Sequence, residues 1–279
     1  MIRNGDKLQL AIVRPKGQGR SLWMIDAHLH LDQYTDIEEQ INRWQEAGII
    51  GVVAVSTDLR SSHRTLELKQ RFPSFVYAAI GFHPEQPLPS AADWNEWTEL
   101  VKQERPLLAA IGEVGLPYYS AEACAKLPAY QERLTEIAAI AADASLPLVL
   151  HAVYDRAQTA LAILQQAGVR QAHFHWLKAE PAVVKQIIEY GYYISVTPEV
   201  CYRERDKQLL SLVPIEQLLL ETDGPWPFAG PFAGKLTTPL WLLDSARAVA
   251  AHYGRDIEQV KAVITANTKQ LYGAADRVV

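Results

Sequence analysis

The sequence predicts a (β/α)8 barrel, the TIM-type α/β fold, built as a single domain. Eight apolar runs of strand length alternate with amphipathic stretches of helical length along the chain. The length of 279 residues is close to that of one such barrel, and a hydrophobic share of 49% allows a large buried core. His, Glu or Asp follows at least five of the apolar runs, whereas an open sheet brings only two or three strand ends to one crevice. A closed barrel is therefore favoured over a doubly wound sheet.

The elements follow one another regularly from the first apolar run. We predict strands at 22–27, 49–56, 75–81, 107–112, 146–150, 172–176, 192–196 and 217–221. We predict helices at 36–47, 91–104, 127–144, 156–167, 181–190 and 239–253. Gly48, Gly168 and Gly191 stand where helices should end. We expect residues 1–20 to form a short N-terminal arm, residues 21–279 to form the barrel domain, and 257–272 to be an appended C-terminal helix.

Charge and composition limit the classes of partner. The net charge is −5, so the chain has no general basic field for nucleic acid, and a polyanion would have to be held locally by metal or by clustered Arg and Lys. The apolar stretch 8–13 is too short for a signal segment or a membrane span. We expect a cytoplasmic, monomeric protein that does not bind membranes.

Metal-binding side chains cluster at the predicted strand ends. Asp26, His28 and His30 alternate along the end of the first run, and side chains two residues apart point to the same face of a strand. Four further runs end in Glu113, His151, His175 and Asp223. In a barrel the carboxyl ends of all strands meet at one face, where active sites lie. Imidazole and carboxylate ligands with an open position are what a hydrolytic divalent-metal site needs, so these residues predict a metal-dependent hydrolase.

Several sequence blocks carry a family resemblance. They are Asp26-Ala-His28-Leu-His30, Gly81-Phe-His83-Pro84, Ile111-Gly-Glu113-Val-Gly115-Leu, Leu146-Pro-Leu-Val-Leu-His151, His175-Trp-Leu, Leu220-Glu-Thr-Asp223-Gly-Pro225 and Asn267 with Leu271-Tyr-Gly273. In order and spacing, over residues 23–273, they resemble the signature blocks of TatD-family metal-dependent hydrolases, an amidohydrolase-like group often described as deoxyribonucleases. The resemblance implies two divalent metal ions in a barrel.

The resemblance also implies a ligand set. His28, His30 and Asp223 would hold one ion, His151 and His175 the second, and Glu113 would bridge the two. Such donors accept Zn, Mn, Mg or Ni, so the sequence does not choose the metal.

The chain departs from the family pattern beside these ligands. Pro117 stands where the family usually has Asp, and Val153 stands where Arg is common, with Arg156 one helical turn later. Lys178-Ala stands where the family usually has Ser-Gly. The ligands are thus retained, and residues that would touch the substrate have changed.

The catalytic prediction assigns Asp223 and Glu113 to the chemistry. Asp223 would orient or deprotonate a metal-activated water, besides binding metal. His83, Arg156 and Lys178 are candidates for binding the substrate and neutralising its developing negative charge. For His83 a structural loop role stays open, and for Arg156 a plain surface role.

Some of the remaining polar groups leave two interpretations. His173 and His175 share a strand face, but the block alignment selects His175, leaving His173 as a core histidine or a group behind the ligands. Asp26 is expected to be an acceptor that fixes the tautomer of a ligand histidine.

Three functions remain open at this level. The first is hydrolysis of DNA phosphodiesters, including exonuclease action at 3′ ends. The second uses the same metals on small-molecule phosphates, esters, amides or lactones, and the third is a non-catalytic metal-binding scaffold. Arg and Lys around the barrel mouth would favour nucleic acid, whereas a closed aromatic cup would favour a small molecule.

Overall fold

Eight parallel strands form the centre of the computed structural model, which describes residues 23–273. They pair in chain order, from β1 next to β2 through to β7 next to β8. The strands are β1 Met24–Leu29, β2 Ile49–Val55, β3 Val76–Ile80, β4 Leu108–Gly115, β5 Leu148–His151, β6 Ala172–Phe174, β7 Tyr193–Val196 and β8 Leu218–Leu220. Almost every strand residue is buried, as in parallel sheets covered on both faces.

Backbone contacts between β1 and the segment after β8 close the barrel. The His30 amide donates to the Gly224 carbonyl oxygen at 2.7 Å, and the Asp223 amide donates to the His28 carbonyl oxygen at 2.9 Å. A parallel bridge between Leu29 and Gly224 accompanies these bonds. The predicted (β/α)8 barrel is confirmed, and its closure brings Asp223 directly beside the first strand.

Helices alternate with the strands and surround them. They are α1 Ile37–Glu46, α2 Leu59–Arg71, α3 Ala91–Gln103, α4 Ala121–Cys124, α5 Leu127–Ala144, α6 Asp155–Gln166, α7 Pro181–Glu189, α8 Glu204–Leu210, α9 Leu242–Tyr253 and α10 Ile257–Tyr272. Side-chain caps fix several starts: the Asp58 carboxylate accepts the Ser61 amide at 2.7 Å in a capping box on α2. Gly168 and Gly191 have φ angles of +71° and +77° after α6 and α7, which a side chain would strain.

Helix α10 lies at the amino-terminal end of the barrel. The Asn267 side-chain amide donates to the carbonyl oxygens of Ile215 and Leu218 at 2.7 and 2.9 Å, at the start of β8. The Thr265 hydroxyl donates to the Trp23 carbonyl oxygen, immediately before β1. The carboxyl ends of the strands, at the opposite end, are left for the site.

The expectations for the N-terminal arm, for membrane-spanning helices and for the lengths of the strands have different outcomes. The predicted arm at 1–20 lies outside the described residues, and the division into arm and domain stays a prediction. Within residues 23–273, no helix is both long and apolar enough to cross a bilayer. Three strands run further than predicted: β1 continues to Leu29, β4 to Gly115 and β5 to His151, so His28, Glu113 and His151 lie within strands and not after them.

Candidate metal centre

All six predicted ligands meet at the carboxyl end of the barrel. His28 and Glu113 lie on β1 and β4, His151 ends β5, and the other three follow β1, β6 and β8. Five of the six are buried, and His30 is half-buried. Because every strand of a parallel barrel ends at this face, residues far apart in sequence converge here.

The Glu113 carboxylate is the centre of the cluster. Its Oε2 atom lies 3.2 Å from His28 Nε2 and 3.5 Å from His30 Nε2. Its Oε1 atom lies 3.0 Å from His151 Nδ1 and 2.9 Å from His175 Nε2. The side chain is 1% exposed. The two oxygens therefore face different imidazoles: Oε2 faces those of His28 and His30, and Oε1 faces those of His151 and His175 together with His83, at 3.2 Å.

Asp223 completes the group on the Oε2 side. Its Oδ1 atom lies 3.4 Å from His28 Nε2 and 3.5 Å from His30 Nε2. His28, His30 and Asp223 each offer one atom that could bind a metal, and these three atoms all lie within 4.8 Å of one another. This spacing is compatible with a single ion held by two imidazoles and a carboxylate.

His83, a predicted substrate-binding residue, lies on the Oε1 side. Its Nε2 atom is 3.2 Å from Glu113 Oε1, and it forms a second group of possible ligands with Glu113 and His151. Its Nδ1 atom accepts the Glu85 backbone amide at 3.1 Å. Burial lowers the pKa of His83, although Glu113 opposes this shift, so the ring tends to be neutral. A neutral ring with Nδ1 as acceptor carries its proton on Nε2, which makes His83 a hydrogen-bond donor toward the centre.

The electrostatics of the cluster suit a cation. Burial alone would raise the pKa of Glu113, but His83, His175 and His28 hold it well below its usual range. Burial alone would lower the pKa of His175, and the carboxylates of Glu113 and Glu221 raise it to about 9. Buried carboxylates thus favour positive charge at the position where the imidazoles meet.

Unpartnered polar atoms point the same way. Within residues 23–273, several buried side-chain atoms of the cluster have no hydrogen-bond partner of good geometry, which is costly unless a ligand satisfies them. Two of these atoms, His28 Nε2 and Glu113 Oε2, face each other at the centre of the cluster. His151 Nε2 and His175 Nδ1 instead face the carboxylates of Glu85 and Glu221, at 3.3 and 3.4 Å. Together with the donor set, the two central atoms fit divalent metal ions.

The sequence did not single out Glu221, which lies beside His175 and forms a further group of possible ligands with His28 and His175. It is fully buried, and its Oε1 atom accepts the Trp176 amide at 2.8 Å and lies 3.4 Å from His175 Nδ1. Its Oε2 atom lies 3.5 Å from His173 Nε2, whose ring also bonds through Nδ1 to the Tyr272 hydroxyl at 2.7 Å. Its place two residues before Asp223 was the available signal, because alternate residues share a face.

Glu85 is the second residue that the sequence did not single out. One of its oxygens accepts the amides of Tyr118 and Tyr119 at 2.7 and 3.0 Å, and the other accepts the Ser120 amide at 2.6 Å. His151 Nε2 lies 3.3 Å from Oε1. Burial alone would raise the pKa of Glu85, but His151 and the three amides lower it to about 2.

Asp26 differs in its contacts from the expectation. Its carboxylate accepts the backbone amides of His28 and Thr222 at 3.3 and 3.0 Å, and it also accepts the Thr222 hydroxyl. It therefore holds the backbone of β1 against the segment after β8, and not the ring of a ligand histidine. The reason is that the side chain lies one layer below the imidazoles, level with the Thr222 amide.

Lys178 and Arg156 have different surroundings at the mouth. Lys178 Nζ lies 4.0 Å from the centroid of the Trp176 ring and 3.1 Å from the Tyr119 hydroxyl. Burial lowers the pKa of this ammonium group. Arg156 instead donates to the Pro117 carbonyl oxygen at 3.0 Å and pairs with Asp155 at 2.6 Å. It connects α6 to the loop after β4.

Comparisons with known proteins agree with this geometry. Residues 25–273 match the profile of the family described as TatD related DNase. An uncharacterized metal-dependent hydrolase of Haemophilus influenzae is 34% identical over 251 residues, which cover 89% of this chain and 99% of that protein. The 3′-5′ ssDNA/RNA exonuclease TatD of Erwinia amylovora is 27% identical and covers 85% of this chain and 94% of its own length.

The fold also matches a solved structure. The crystal structure of YjjV, a TatD homologue from Escherichia coli, superposes with a TM-score of 0.82 at 20% identity, covering 91% of this chain and 99% of YjjV. The profile match spans the barrel from β1 to the end of α10. The chain therefore belongs to the TatD-related DNase family of metal-dependent hydrolases.

Proposed function

We propose that this hydrolase cleaves DNA phosphodiester bonds with two divalent metal ions at the carboxyl end of its barrel. His28, His30 and Asp223 would hold one ion, His151 and His175 would hold the other, and both ions would share Glu113. The observation that carries the proposal is the division of the Glu113 carboxylate, with one oxygen facing His28 and His30 and the other facing His151 and His175. A bridging carboxylate is what a two-metal hydrolytic site requires.

The residues around the ions divide the catalytic work. When bound, the two ions acidify a water and polarise a phosphoryl oxygen. Asp223, which is 7% exposed, would orient the attacking water and accept its proton. His83 donates from Nε2 to the oxygen on which negative charge develops. Lys178 supplies a cation for the phosphate group, in the absence of an Arg at position 153.

The mouth supports nucleic acid over a small molecule. The rings of Tyr118, Tyr119, Tyr154 and Trp226 are 39–56% exposed, so this aromatic surface is open and can stack on bases, and Lys178 lies among the rings. A closed cup, as a small-molecule site would need, would bury these rings. The relative from Erwinia amylovora supports single-stranded DNA and removal of nucleotides from the 3′ end. We expect the enzyme to act in the cytoplasm.

The proposal is tested by metal analysis followed by a substrate panel. The purified protein is loaded with Zn, Mn, Mg or Ni, its metal content is measured, and hydrolysis of single-stranded DNA is compared with that of model phosphodiesters, phosphomonoesters and carboxyl esters. DNA labelled at one end, with a free or blocked 3′ end, reports exonuclease direction. We expect two ions per chain and shortening of DNA from the free 3′ end.

Two variants make the outcome decisive. Glu113→Ala removes the bridge and is expected to abolish cleavage, whereas Glu99→Ala changes an exposed carboxylate of α3 paired with Lys102 and serves as the matched control. If no divalent metal supports cleavage of any phosphodiester, the nuclease function is wrong. If Glu113→Ala cleaves DNA as well as the unchanged protein, the assigned site is wrong.

A further inference from the structure

Glu85 joins two parts of the barrel mouth. It follows β3, and its carboxylate contacts both His151 at the end of β5 and the backbone of residues 118–120 after β4. We infer that Glu85 is a positioning residue that couples metal binding at His151 to the order of the loop carrying Tyr118 and Tyr119. The inference rests on the proposed function, because it takes His151 to be a metal ligand.

The orientation of the His151 ring is the first step. Nδ1 faces the centre, 3.0 Å from Glu113 Oε1 and 3.5 Å from His175 Nε2. Nε2 faces away from it, toward Glu85 Oε1 at 3.3 Å. A ligand imidazole is neutral and binds through one nitrogen, and the hydrogen bond of the other nitrogen selects which one carries the proton. A carboxylate facing Nε2 keeps the proton there and leaves the Nδ1 lone pair for the ion.

The loop after β4 is the second step. The three consecutive amides of Tyr118, Tyr119 and Ser120 all donate to the Glu85 carboxylate, at 2.6–3.0 Å. A single side chain thus satisfies three loop donors that would otherwise need water. The same loop presents the Tyr119 hydroxyl to Lys178, at 3.1 Å. The conformation of this loop therefore determines the positions of the Tyr119 ring and of the Lys178 ammonium group at the mouth of the barrel.

Coupling follows from sharing one carboxylate. A metal ion on Nδ1 would make the Nε2 proton more acidic and would favour a hydrogen bond from Nε2 to Glu85 Oε1, two atoms that lie 3.3 Å apart without hydrogen-bond geometry. A Glu85 carboxylate fixed by this bond in turn makes more stable hydrogen bonds with the amides of residues 118–120. Because coupling between two sites is reciprocal, a loop that is ordered by substrate must also increase metal affinity.

The experiment measures both ends of this coupling on the full chain. Zn²⁺ affinity is measured by titration calorimetry on the metal-free protein, and amide hydrogen exchange of residues 118–120 is measured with and without Zn²⁺. The variants are Glu85→Ala, which removes all the contacts, and Glu85→Gln, whose carbonyl oxygen can replace only one carboxylate oxygen. Asp256→Ala is the matched control, because its carboxylate also accepts two backbone amides, at the start of α10 at the opposite end of the barrel.

The expected results separate the inference from the proposed function. In the unchanged protein Zn²⁺ slows exchange at 118–120. Glu85→Ala weakens one of the two Zn²⁺ sites by about 10–100-fold and abolishes this slowing, and Glu85→Gln shows the same effects at about 10-fold or less. Asp256→Ala leaves both readouts unchanged and lowers only the melting temperature.

Contrary outcomes are equally distinct. If both Glu85 variants fold and bind Zn²⁺ as the unchanged protein does, or if exchange at 118–120 does not respond to Zn²⁺, the inference is wrong while the proposed two-metal site stands. If the unchanged protein binds no divalent metal, both the proposed function and the inference are wrong.

Discussion

Glu221→Gln tests whether a carboxylate beside His175, a proposed ligand, determines metal affinity. Glu221 Oε1 lies 3.4 Å from His175 Nδ1, and the other nitrogen of that ring is 2.9 Å from Glu113 Oε1. The substitution keeps the side-chain shape and an oxygen for the Trp176 amide, but it removes the charge that favours a proton on Nδ1. Loss of such a partner typically weakens metal binding by about 10–100-fold, which is about 1.4–2.8 kcal/mol.

This loss has a measurable thermal consequence. A metal ion that binds only the folded chain increases the free energy of unfolding by an amount that depends on the logarithm of the binding affinity. At saturating metal, the metal-dependent part of the free energy of unfolding should therefore fall by the same 1.4–2.8 kcal/mol. For a domain of this size, that corresponds to about 3–11 °C of the metal-induced rise in melting temperature. The assay is thermal unfolding with and without excess Zn²⁺, with Glu216→Gln, an exposed carboxylate near Arg255, as control. A Zn²⁺-induced rise in Glu221→Gln equal to that of the unchanged protein refutes the reasoning.

Three further predictions address stability, substrate and metal. Asn267→Ala removes two buried hydrogen bonds that hold α10 to the start of β8, so the free energy of unfolding measured with denaturant should fall by about 2–3 kcal/mol. For Thr265→Ala, at a partly exposed position, the fall should be less than about 1 kcal/mol. Lys178→Met removes a charge-assisted contact to phosphate, so KM for DNA should rise about 10–100-fold while kcat changes little. The control Lys102→Met should change neither constant, and a fall in kcat alone for Lys178→Met would contradict a role in binding. Removal of metal by a chelator should abolish cleavage and lower the melting temperature, and added Zn²⁺ or Mn²⁺ should restore both; cleavage that persists after complete chelation would exclude the proposed chemistry.

The strand ends could be predicted from sequence because two geometric rules determine them. Alternation along β1 places His28 and His30 on one face, and parallel strands in a barrel end together, so Glu113, His151 and Asp223 had to lie nearby. Neither rule needs knowledge of loop conformation. The residue-by-residue register between neighbouring strands could not be predicted. The register shifts between β3 and β4 and between β4 and β5, and β4 continues to Gly115.

The contacts made by loop residues could not be predicted in the same way. Glu85 meets His151 and the amides after β4 only through the folded path of two loops, which carry no periodic pattern. Arg156 illustrates the same limit: its sequence position allowed a substrate role or a surface role, and the structure places it on the Pro117 carbonyl oxygen. Asp26 was expected to accept from the ring of a ligand histidine, but it accepts the amide of Thr222, whose position depends on the path of the chain after β8.

The division between strands and loops also determines which properties of the enzyme can change independently. The proposed ligands lie on or directly after buried strands, and backbone hydrogen bonds between β1 and the segment after β8 fix the positions of His28, His30 and Asp223. Lys178 and the tyrosines lie on loops, where substitutions leave the barrel intact. If Glu85 couples the loop after β4 to His151, however, substrate recognition is not wholly separate from metal binding, and a change of loop sequence that displaces Tyr118 or Tyr119 must also change metal affinity.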